Sequence, residues 1–303
     1  MTHDASLFAP RRATIVEPAG PLFAPPPPPR SRGATIEFAV LGSSSSGNGS
    51  VLRVRDGGHR RQILIDAGLS PKMTKGRMAA LGFDFEETDE ILFTHFDQDH
   101  AKEGWGRVGR TGGIAFRCAR AHRPRAIARG YPAESIHDFD PDRGAFALGP
   151  VRVSPCVNPH DDGGTIAFRL ETPAGTLGFA TDLGRVSGEL VAAMRGADIL
   201  AIESNYDPRM QLESARPAML KDRIMGGSGH LSNEECLDAV RAIAAHAEPA
   251  HVVLLHLSRE CNCPDLVRGR WRAALPRLEP RLVIARPFEA VGPIALASPE
   301  PAA

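Results

Sequence analysis

Short apolar runs separated by polar turns predict that the chain begins mainly as β-sheet. Strands are predicted over residues 36–41, 51–54 and 62–65, which are rich in β-branched and large apolar residues and are divided by glycine and polar residues. Residues 233–245 instead place apolar side chains at helical spacing, with Ser232 as a candidate N-cap and Glu235 as its capping-box partner. The chain therefore mixes sheet and helix, but periodicity alone leaves several arrangements of these elements open.

The segment after the apolar run at 91–93 predicts a metal centre. Within six positions it contains four side chains that can bind metal ions, namely His95, Asp97, Asp99 and His100. Imidazole nitrogen and carboxylate oxygen are ligands that zinc and similar divalent ions accept. An ordinary polar turn accounts for one or two such residues, but not for four beside a buried strand, where unpaired charges cost desolvation energy.

Composition limits the class of protein but not its substrate. The 303 residues are 42% hydrophobic and contain no apolar run long enough to cross a membrane, so we expect a soluble chain with one large core or two small ones. The formal net charge is zero, so any contact with nucleic acid must be local. Two arginine-rich stretches, 117–129 and 216–223, are candidate contacts, although most such runs are solvated faces.

The ends of the chain differ from its middle. Residues 1–33 include consecutive prolines at 25–29 and few periodic apolar positions, which predicts a disordered, partly polyproline arm. Residues 34–290 are the predicted domain and residues 291–303 a predicted tail. Because Arg11 and Arg12 precede no apolar signal core, and because the five cysteines form no paired framework, we expect a reducing, cytoplasmic location.

The metal-binding segment resembles the His-x-His-x-Asp-His signature of the metallo-β-lactamase superfamily, with Asp97 where the second histidine usually stands. The similarity runs from about residue 35 to residue 290 and is strongest to the WalJ-type (YycJ-type) exonuclease branch. Supporting matches lie at 41–48, 64–68, 203–205, 229–234 and 256–258. The resemblance implies an α/β (α+β) fold of four αββα layers, in which two facing sheets carry helices on their outer sides.

The resemblance also implies a complete set of ligands for two divalent ions. Three further ligands each follow a predicted strand: His160, Asp182 and His256. Taken singly, a histidine or aspartate at a strand end is more often structural than a ligand. The implied division is His95, Asp97 and His160 for one ion, Asp99, His100 and His256 for the other, and Asp182 as a bridge. Zinc is the first expectation, with manganese or iron as alternatives, and a bridging water would be the nucleophile, with Asp99 accepting its proton.

Asp97 changes the charge of the implied site. Asp97, Asp99 and Asp182 bring three negative charges against the four positive charges of two divalent ions, where the usual pattern brings two. We expect either a less acidic bound water or better competition by harder metals such as manganese or iron. The alternative is loss of the first metal site.

Substrate contacts and function depend on the resemblance. The serine-rich loop at 43–50 offers phosphate contacts at Ser44, Ser45 and Asn48, and a plain hairpin turn explains it equally well. His230, just before the predicted helix, is a candidate catalytic acid or phosphate contact, and a histidine that orients the turn is the alternative. The implied activity is a metal-dependent phosphodiesterase, specifically an exonuclease with DNA as substrate. Hydrolysis of thioesters, lactones or β-lactams, or metal binding without catalysis, stays open.

Overall fold

Two seven-stranded mixed sheets frame the part of the chain that this computed structural model describes, residues 25–297 apart from the side chains at 111 and 112. The predicted arm up to residue 24 and the predicted tail from residue 298 lie outside the described residues. Within residues 25–297, none of the helices combines the length and the apolar character needed to span a bilayer. The five cysteines all lie in this part, and none forms a disulfide.

The first sheet is built mainly from the N-terminal half of the chain. Six of its strands follow one another in sequence: β1 (Thr35–Gly42), β2 (Gly49–Asp56), β3 (His59–Ile65), β4 (Glu90–Leu92), β5 (Ala115–Ala119) and β6 (Ile136–Phe139). The pairs β1–β2 and β2–β3 are antiparallel, whereas β3 to β6 pair in parallel. The predicted strands at 36–41, 51–54 and 62–65 are thus confirmed as β1, β2 and β3.

The second sheet repeats this arrangement with the C-terminal half. Its strands are β7 (Phe146–Leu148), β8 (Val151–Asn158), β9 (Thr165–Glu171), β10 (Thr176–Ala180), β11 (Ile199–Glu203), β12 (His251–Leu255) and β13 (Leu282–Ile284). Strands β7 to β10 pair antiparallel, and β10 to β13 pair in parallel. Because parallel strands run in one direction, their carboxyl ends gather along one edge of each sheet.

Helices cover the outer face of each sheet. The described helices, in chain order, are α1 (Pro71–Ala80), α2 (Trp105–Gly112), α3 (Arg123–Ala128), α4 (Gly188–Met194), α5 (Pro208–Glu213), α6 (Ala218–Met225), α7 (Asn233–Ala244) and α8 (Pro264–Ala274). Short 3-10 turns lie at Phe85–Glu87, Arg120–His122, Ala133–Ser135, Pro141–Arg143 and Glu279–Arg281. Met78, Trp105 and Ala126 of α1 to α3 pack on the first sheet, and residues of α4, α7 and α8 pack on the second.

Apolar side chains from both sheets fill the space between them and form the main core. Phe38 and Leu52 of the first sheet share one cluster with Phe168 and Phe179 of the second, and all four are buried. Phe38 and Phe179 meet edge to face, with ring centroids 6.3 Å apart. Helix, sheet, sheet and helix therefore follow one another, and the expected αββα fold is confirmed.

The predicted start of α7 is confirmed in detail. The Ser232 hydroxyl accepts a hydrogen bond from the Glu235 N–H at 3.2 Å, and the Glu235 carboxylate accepts one from the Ser232 N–H at 2.8 Å. This reciprocal capping box satisfies two backbone donors that a helix start leaves unpaired. It also fixes the direction in which the chain leaves residues 229–231.

Residues 291–297 are not a tail, because they form strand β14 (Val291–Ala297) at the edge of the first sheet. The strand pairs antiparallel with β1, where Ile294 lies opposite Phe38. Ile294 is only 7% exposed and joins the core between the sheets. Gly292 and Pro293 obscure the strand in the sequence, and the proline is tolerated because an edge strand needs hydrogen bonds on one side alone.

The described part of the predicted arm has no helix or strand but contacts the sandwich. The Ser31 N–H donates to the Pro173 carbonyl at 3.0 Å, and the Arg30 guanidinium lies 2.8 Å from the Asp198 carboxylate. The Pro25 carbonyl accepts a hydrogen bond from Arg152. Residues 25–33 therefore run along the second sheet.

Replacing Ile294 by alanine is expected to lower the free energy of unfolding by about 2 to 5 kcal/mol, because it removes a buried side chain from the core between the sheets. Urea unfolding followed by circular dichroism measures the change. Ala295→Ser, at an exposed position on the same strand, is the matched control and should leave the midpoint unchanged. Equal midpoints for both variants would contradict the role of β14.

Candidate metal centre

The seven predicted ligands meet at one edge of the sandwich, on loops that follow strand ends. His95, Asp97, Asp99 and His100 follow β4, and the others follow β8, β10 and β12: His160, Asp182 and His256. Asp182 lies two residues after the end of β10, and His256 directly follows β12. Both have a left-handed backbone, with φ of 51° and 56°. Non-glycine residues seldom adopt this conformation, so the surrounding contacts must hold it in place.

The two groups of three that the resemblance implies are both formed. In the first triad, His95, Asp97 and His160, the nearest potential ligand atoms lie within 4.8 Å of one another. The same holds for the second triad, Asp99, His100 and His256.

Asp182 lies between the two triads. Its Oδ2 is 2.5 Å from His100 Nε2 and 3.8 Å from His95 Nε2, and its Oδ1 is 2.5 Å from His256 Nδ1. The carboxylate thus reaches a ligand of each triad. The structure brings together every predicted ligand, and their binding of metal stays a prediction.

Asp66 orients two of the histidines and was missed as a site residue. Its carboxylate accepts hydrogen bonds from the Thr94 backbone and hydroxyl and lies 2.8 Å from His100 Nδ1. Because the Thr94 hydroxyl gives its single proton to Asp66, it accepts from His95 Nδ1, 2.9 Å away. Both rings therefore have Nδ1 engaged in a hydrogen bond and turn Nε2 toward the cluster, as metal-binding histidines do.

His160 is oriented in the same manner by a different partner. Its Nδ1 donates to the Gly229 carbonyl at 2.8 Å, which again leaves Nε2 as the free acceptor.

Residue 66 stands in the matching stretch 64–68, and its left-handed backbone, with φ of 62°, marks it as a held position. An aspartate directly after an apolar strand was the signal that identified Asp182 and applies equally to Asp66.

Unpaired buried atoms show that the residues suit divalent cations. His95 Nε2, His256 Nε2 and both carboxylate oxygens of Asp182 are buried and form no hydrogen bond of acceptable geometry. A buried acceptor without a partner costs about 1 to 3 kcal/mol. Buried nitrogen and oxygen atoms that converge without hydrogen bonds are the arrangement that a cation compensates, and the mixed nitrogen and oxygen set fits zinc or a harder transition metal.

Burial and charge shift the pKa values of the ligands in opposite directions. Burial lowers the pKa of His95 well below its ordinary value, and the charge of His100 adds to the effect. Burial also acts downward on His100, but Asp182 and Asp66 together raise its pKa well above the ordinary value. Burial favours the neutral form of Asp182, yet the charges of His256 and His100 hold its pKa well below the usual range. The carboxylate is therefore ionised.

Glu203, the last residue of β11, is a second residue that the sequence reasoning did not place in the site. It is fully buried, and its Oε1 lies 2.8 Å from His230 Nδ1 and 3.2 Å from His256 Nδ1. Burial lowers the pKa of His230, but the charge of Glu203 outweighs it and raises this pKa to about 9. A carboxylate that ends the wholly apolar run 199–202 was the available signal.

The serine-rich loop between β1 and β2 is tied to the metal centre. Asn48 is buried, and its side-chain amide lies 2.8 Å from His100 Nε2 and 3.1 Å from Asp99 Oδ2. The Ser44 hydroxyl is buried too, and it accepts the Ser46 N–H of its own loop. Of the three predicted substrate contacts, Ser45 alone lines the cavity, and the loop is an anchored structure rather than a plain hairpin turn.

A cavity of about 470 Å³ opens onto the cluster, which is large enough for a nucleotide-sized ligand. All the predicted ligands except His100 line it, and so do His230, Ser45, Arg216, Arg223 and Ser258. Arg216 and Arg223 come from the second arginine-rich stretch, and a carboxylate fixes each of them. Arg216 donates to Glu260 at 3.1 Å, and Arg223 donates to Asp161 at 3.0 Å.

The first arginine-rich stretch is largely occupied by local ion pairs. Arg117 lies 2.7 Å from Glu90, and Arg123 lies 3.4 Å from Asp138. Arg125 lies instead 2.8 Å from Asp97, the unusual member of the first triad. Because these arginines are paired with carboxylates, this stretch is a weaker candidate for contacting nucleic acid, and Arg125 contacts the predicted metal centre instead.

Two facing mixed sheets with outer helices, and a cavity of histidines and carboxylates at their strand ends, define a protein of the metallo-β-lactamase fold. Residues 61–257 match the model of the beta-lactamase superfamily domain, and the chain belongs to this superfamily. The resemblance drawn from the sequence is thereby confirmed.

Relatives and a solved structure agree with this membership. The chain is 28% identical to exodeoxyribonuclease YycJ of Bacillus anthracis, over 77% of this chain and 86% of the relative. It is 27% identical to exodeoxyribonuclease WalJ of Streptococcus pneumoniae (strain D39), over 76% of this chain and 85% of the relative. The crystal structure of the metallo-beta-lactamase fold protein YhfI from Bacillus subtilis matches with a TM-score of 0.64 at 16% identity, over 85% of this chain and 99% of that one, which shows the shared fold.

Asp66→Asn is expected to weaken metal binding about 10- to 100-fold, because the amide no longer holds the Nδ1 protons of the ligand histidines in place. Isothermal titration of metal-free protein with zinc measures the change. Asp142→Asn, an exposed carboxylate that does not line the cavity, is the control and should bind zinc as the wild type does. Unchanged affinity for Asp66→Asn would show that the ring orientation has another origin.

Proposed function

We propose that the protein is a metal-dependent phosphodiester hydrolase, specifically a DNA exonuclease. The observation that carries the proposal is the convergence of seven histidines and aspartates in one cluster, six of which line a cavity that two arginines also line. The similarity to two exodeoxyribonucleases over about three quarters of the chain supports DNA as the substrate. Arginine at the same cavity supports a phosphate-bearing substrate, because guanidinium groups bind phosphate oxygens through paired N–H donors.

The first and second triads would each hold one divalent ion, with Asp182 shared between them. The ions would supply Lewis-acid stabilisation of the charge that develops on the attacked phosphoryl group. Zinc is the proposed metal because the ligand set mixes imidazole and carboxylate, and manganese or iron is the alternative. Asp97 can serve as a ligand here, because its Oδ2 lies on the side of His95 Nε2, at 3.9 Å.

Asp99 and His230 are the proposed proton-transfer residues. Asp99 lines the cavity and is partly exposed, so its carboxylate can accept a proton from an attacking water. His230 lines the same cavity, and its Nδ1 is engaged by the buried Glu203. This leaves Nε2 as the one ring nitrogen that can donate a proton to the leaving oxygen.

Arg216 and Ser45, which both line the cavity, are the proposed phosphate contacts. Arg216 is held by Glu260 and by the Ser258 hydroxyl, at 3.1 and 3.3 Å, so its guanidinium is positioned before a substrate arrives. Ser45 adds a hydroxyl on the cavity surface. Aromatic residues make up only 6% of the chain, so contacts to the DNA backbone support binding better than stacking on bases does.

A cytoplasmic location fits the proposed substrate. Cys118, Cys236 and Cys261 are buried as free thiols, and none of the five cysteines is paired. Unpaired cysteines are typical of reducing compartments. Separation of cell fractions, followed by immunodetection of the protein, tests this part of the proposal.

The metal-loaded protein is expected to shorten end-labelled DNA progressively, and His100→Ala is expected to abolish the reaction because it removes a ligand of the second triad. Duplex and single-stranded DNA should be assayed side by side on denaturing gels. A chelator should stop the reaction and added zinc or manganese should restore it. Equal background from both proteins would reject the nuclease assignment, and turnover of a thioester, lactone or β-lactam alone would support an acyl hydrolase.

His230→Ala is expected to lower kcat on DNA about 10²- to 10⁴-fold, because a proton donor to the leaving oxygen is lost. Bound metal, measured by elemental analysis, should be unchanged. The control is His246→Ala, at an exposed histidine just after the C-terminal end of α7, and it should keep the wild-type rate. A loss of metal together with the loss of rate would instead make His230 a ligand.

A further inference from the structure

Asp97, at which the chain departs from the superfamily signature, has a partner of opposite charge. Its Oδ1 lies 2.8 Å from Arg125 Nη2, while its Oδ2 faces His95 Nε2 at 3.9 Å. The carboxylate therefore divides its two oxygens between a guanidinium and the ligand cluster. A metal-binding histidine at this position could not accept from Arg125, because the ring nitrogen that does not bind the metal carries a proton and is itself a donor.

Arg125 is positioned by the segment that carries it. It belongs to α3, directly after the 3-10 turn Arg120–His122, and His122 Nε2 lies 3.1 Å from the Gly163 carbonyl. A Cβ atom placed on Gly163 would lie 3.4 Å from Arg125 Nη1. The guanidinium thus lies against the loop that contains His160 and Gly163. Arg125 is therefore close to two ligands of the first triad, Asp97 directly and His160 through its loop.

We propose that Arg125 is a positioning and charge-balancing residue of the first metal site. The three ligand carboxylates carry three negative charges, and Arg125 reduces the sum to two, the value of the usual signature with histidine. Asp97 and Arg125 together therefore replace one neutral histidine. This inference rests on the proposed metal centre but not on the nuclease activity, because metal binding can be measured without any substrate.

The pair alone does not stabilise the fold appreciably. Arg125 is 50% exposed and Asp97 24% exposed, and ion pairs this open to water contribute little to stability. Its effect is expected at the metal site instead, because the guanidinium engages Oδ1, leaves Oδ2 for the cation and offsets one negative charge of the ligand set. Carboxylate ligands are in general held by such outer partners, whose removal weakens metal binding about 10- to 100-fold.

The expectation of a less electropositive site is accordingly revised. With Arg125 beside Asp97, the charge of the ligand set gives no reason for a weaker Lewis acid. A preference for harder metals would then depend on the oxygen donor itself and not on the total charge.

Titration of the metal-free protein with zinc, and separately with manganese, tests the proposal by calorimetry. Arg125→Ala should weaken one of the two binding events about 10- to 100-fold and leave the other unchanged. Arg125→Lys, which keeps the charge but not the planar donor, should fall between Arg125→Ala and the wild type. Arg129→Ala, just beyond the end of the same helix, is the matched control and should bind as the wild type does.

A double-mutant cycle with Asp97→His separates this role from a merely structural one. When residue 97 is a neutral histidine, Arg125 becomes an unpaired cation beside the metal, so adding Arg125→Ala should leave the affinity equal or higher. The proposal is overturned if Arg125→Ala weakens binding equally in both backgrounds, or if it leaves both binding events unchanged. Thermal unfolding of the metal-free variants confirms that they are folded. Normal metal binding without DNA cleavage would reject the nuclease and leave this inference standing.

Discussion

The collection of charged groups in a buried cavity is the constraint on which the rest of the structure depends. Removing carboxylates and imidazoles from water is costly unless each acquires a partner of opposite charge or a hydrogen bond. Asp66 and Glu203 are themselves fully or almost fully buried, and their oxygens contact the ligand rings of His100 and His256. The ligand rings are thus held by outer partners, which are two carboxylates, the Thr94 hydroxyl and the Gly229 carbonyl. Several atoms that face one another in the middle, such as His95 Nε2 and His256 Nε2, form no hydrogen bond.

The two halves of the fold each supply part of this cluster, so the sheets must be held in register. The first sheet provides the loop after β4, and the second provides His160, Asp182 and His256. Two hydrogen bonds join the halves beside the site: the His256 N–H donates to the Ser43 hydroxyl at 2.6 Å, and the Ile166 N–H donates to the Thr94 carbonyl at 3.0 Å. The serine-rich loop therefore helps to hold the two halves together, a role that its composition alone does not indicate.

The core between the sheets adds to this registration. Phe38 and Phe168 come from opposite sheets and are both fully buried in one cluster. Packing of this density transmits small displacements instead of absorbing them. Because each triad combines ligands from both halves of the fold, the spacing within each triad depends on this packing.

Much of the site could be predicted because its ligands stand where sequence patterns change. His95 to His100 form a dense local cluster, and His256 follows an apolar run, so local reading and family resemblance together located them. Asp66 and Glu203 were not assigned because their roles arise from contacts with residues distant in the chain. Asn48 lies under His100 for the same reason, although it was expected to contact substrate.

The strands were predicted with similar success and for similar reasons. β1 to β3 contain short apolar runs, such as 38–41 and 63–65, which the sequence shows directly. β14 contains glycine and proline, and its pairing with β1 brings together residues from opposite ends of the chain. No local pattern encodes such a long-range pairing, which depends on the tertiary fold.

The left-handed residues Asp66, Asp182 and His256 have a consequence for how the pocket meets its ligands. Each conformation costs of order 1 to 3 kcal/mol and persists because neighbouring elements over-determine it. The scaffold has therefore already met the energetic cost of shaping the pocket during folding. The pocket is therefore shaped before any ligand arrives, and its selectivity would depend on the size and charge of the ligand rather than on rearrangement of the chain.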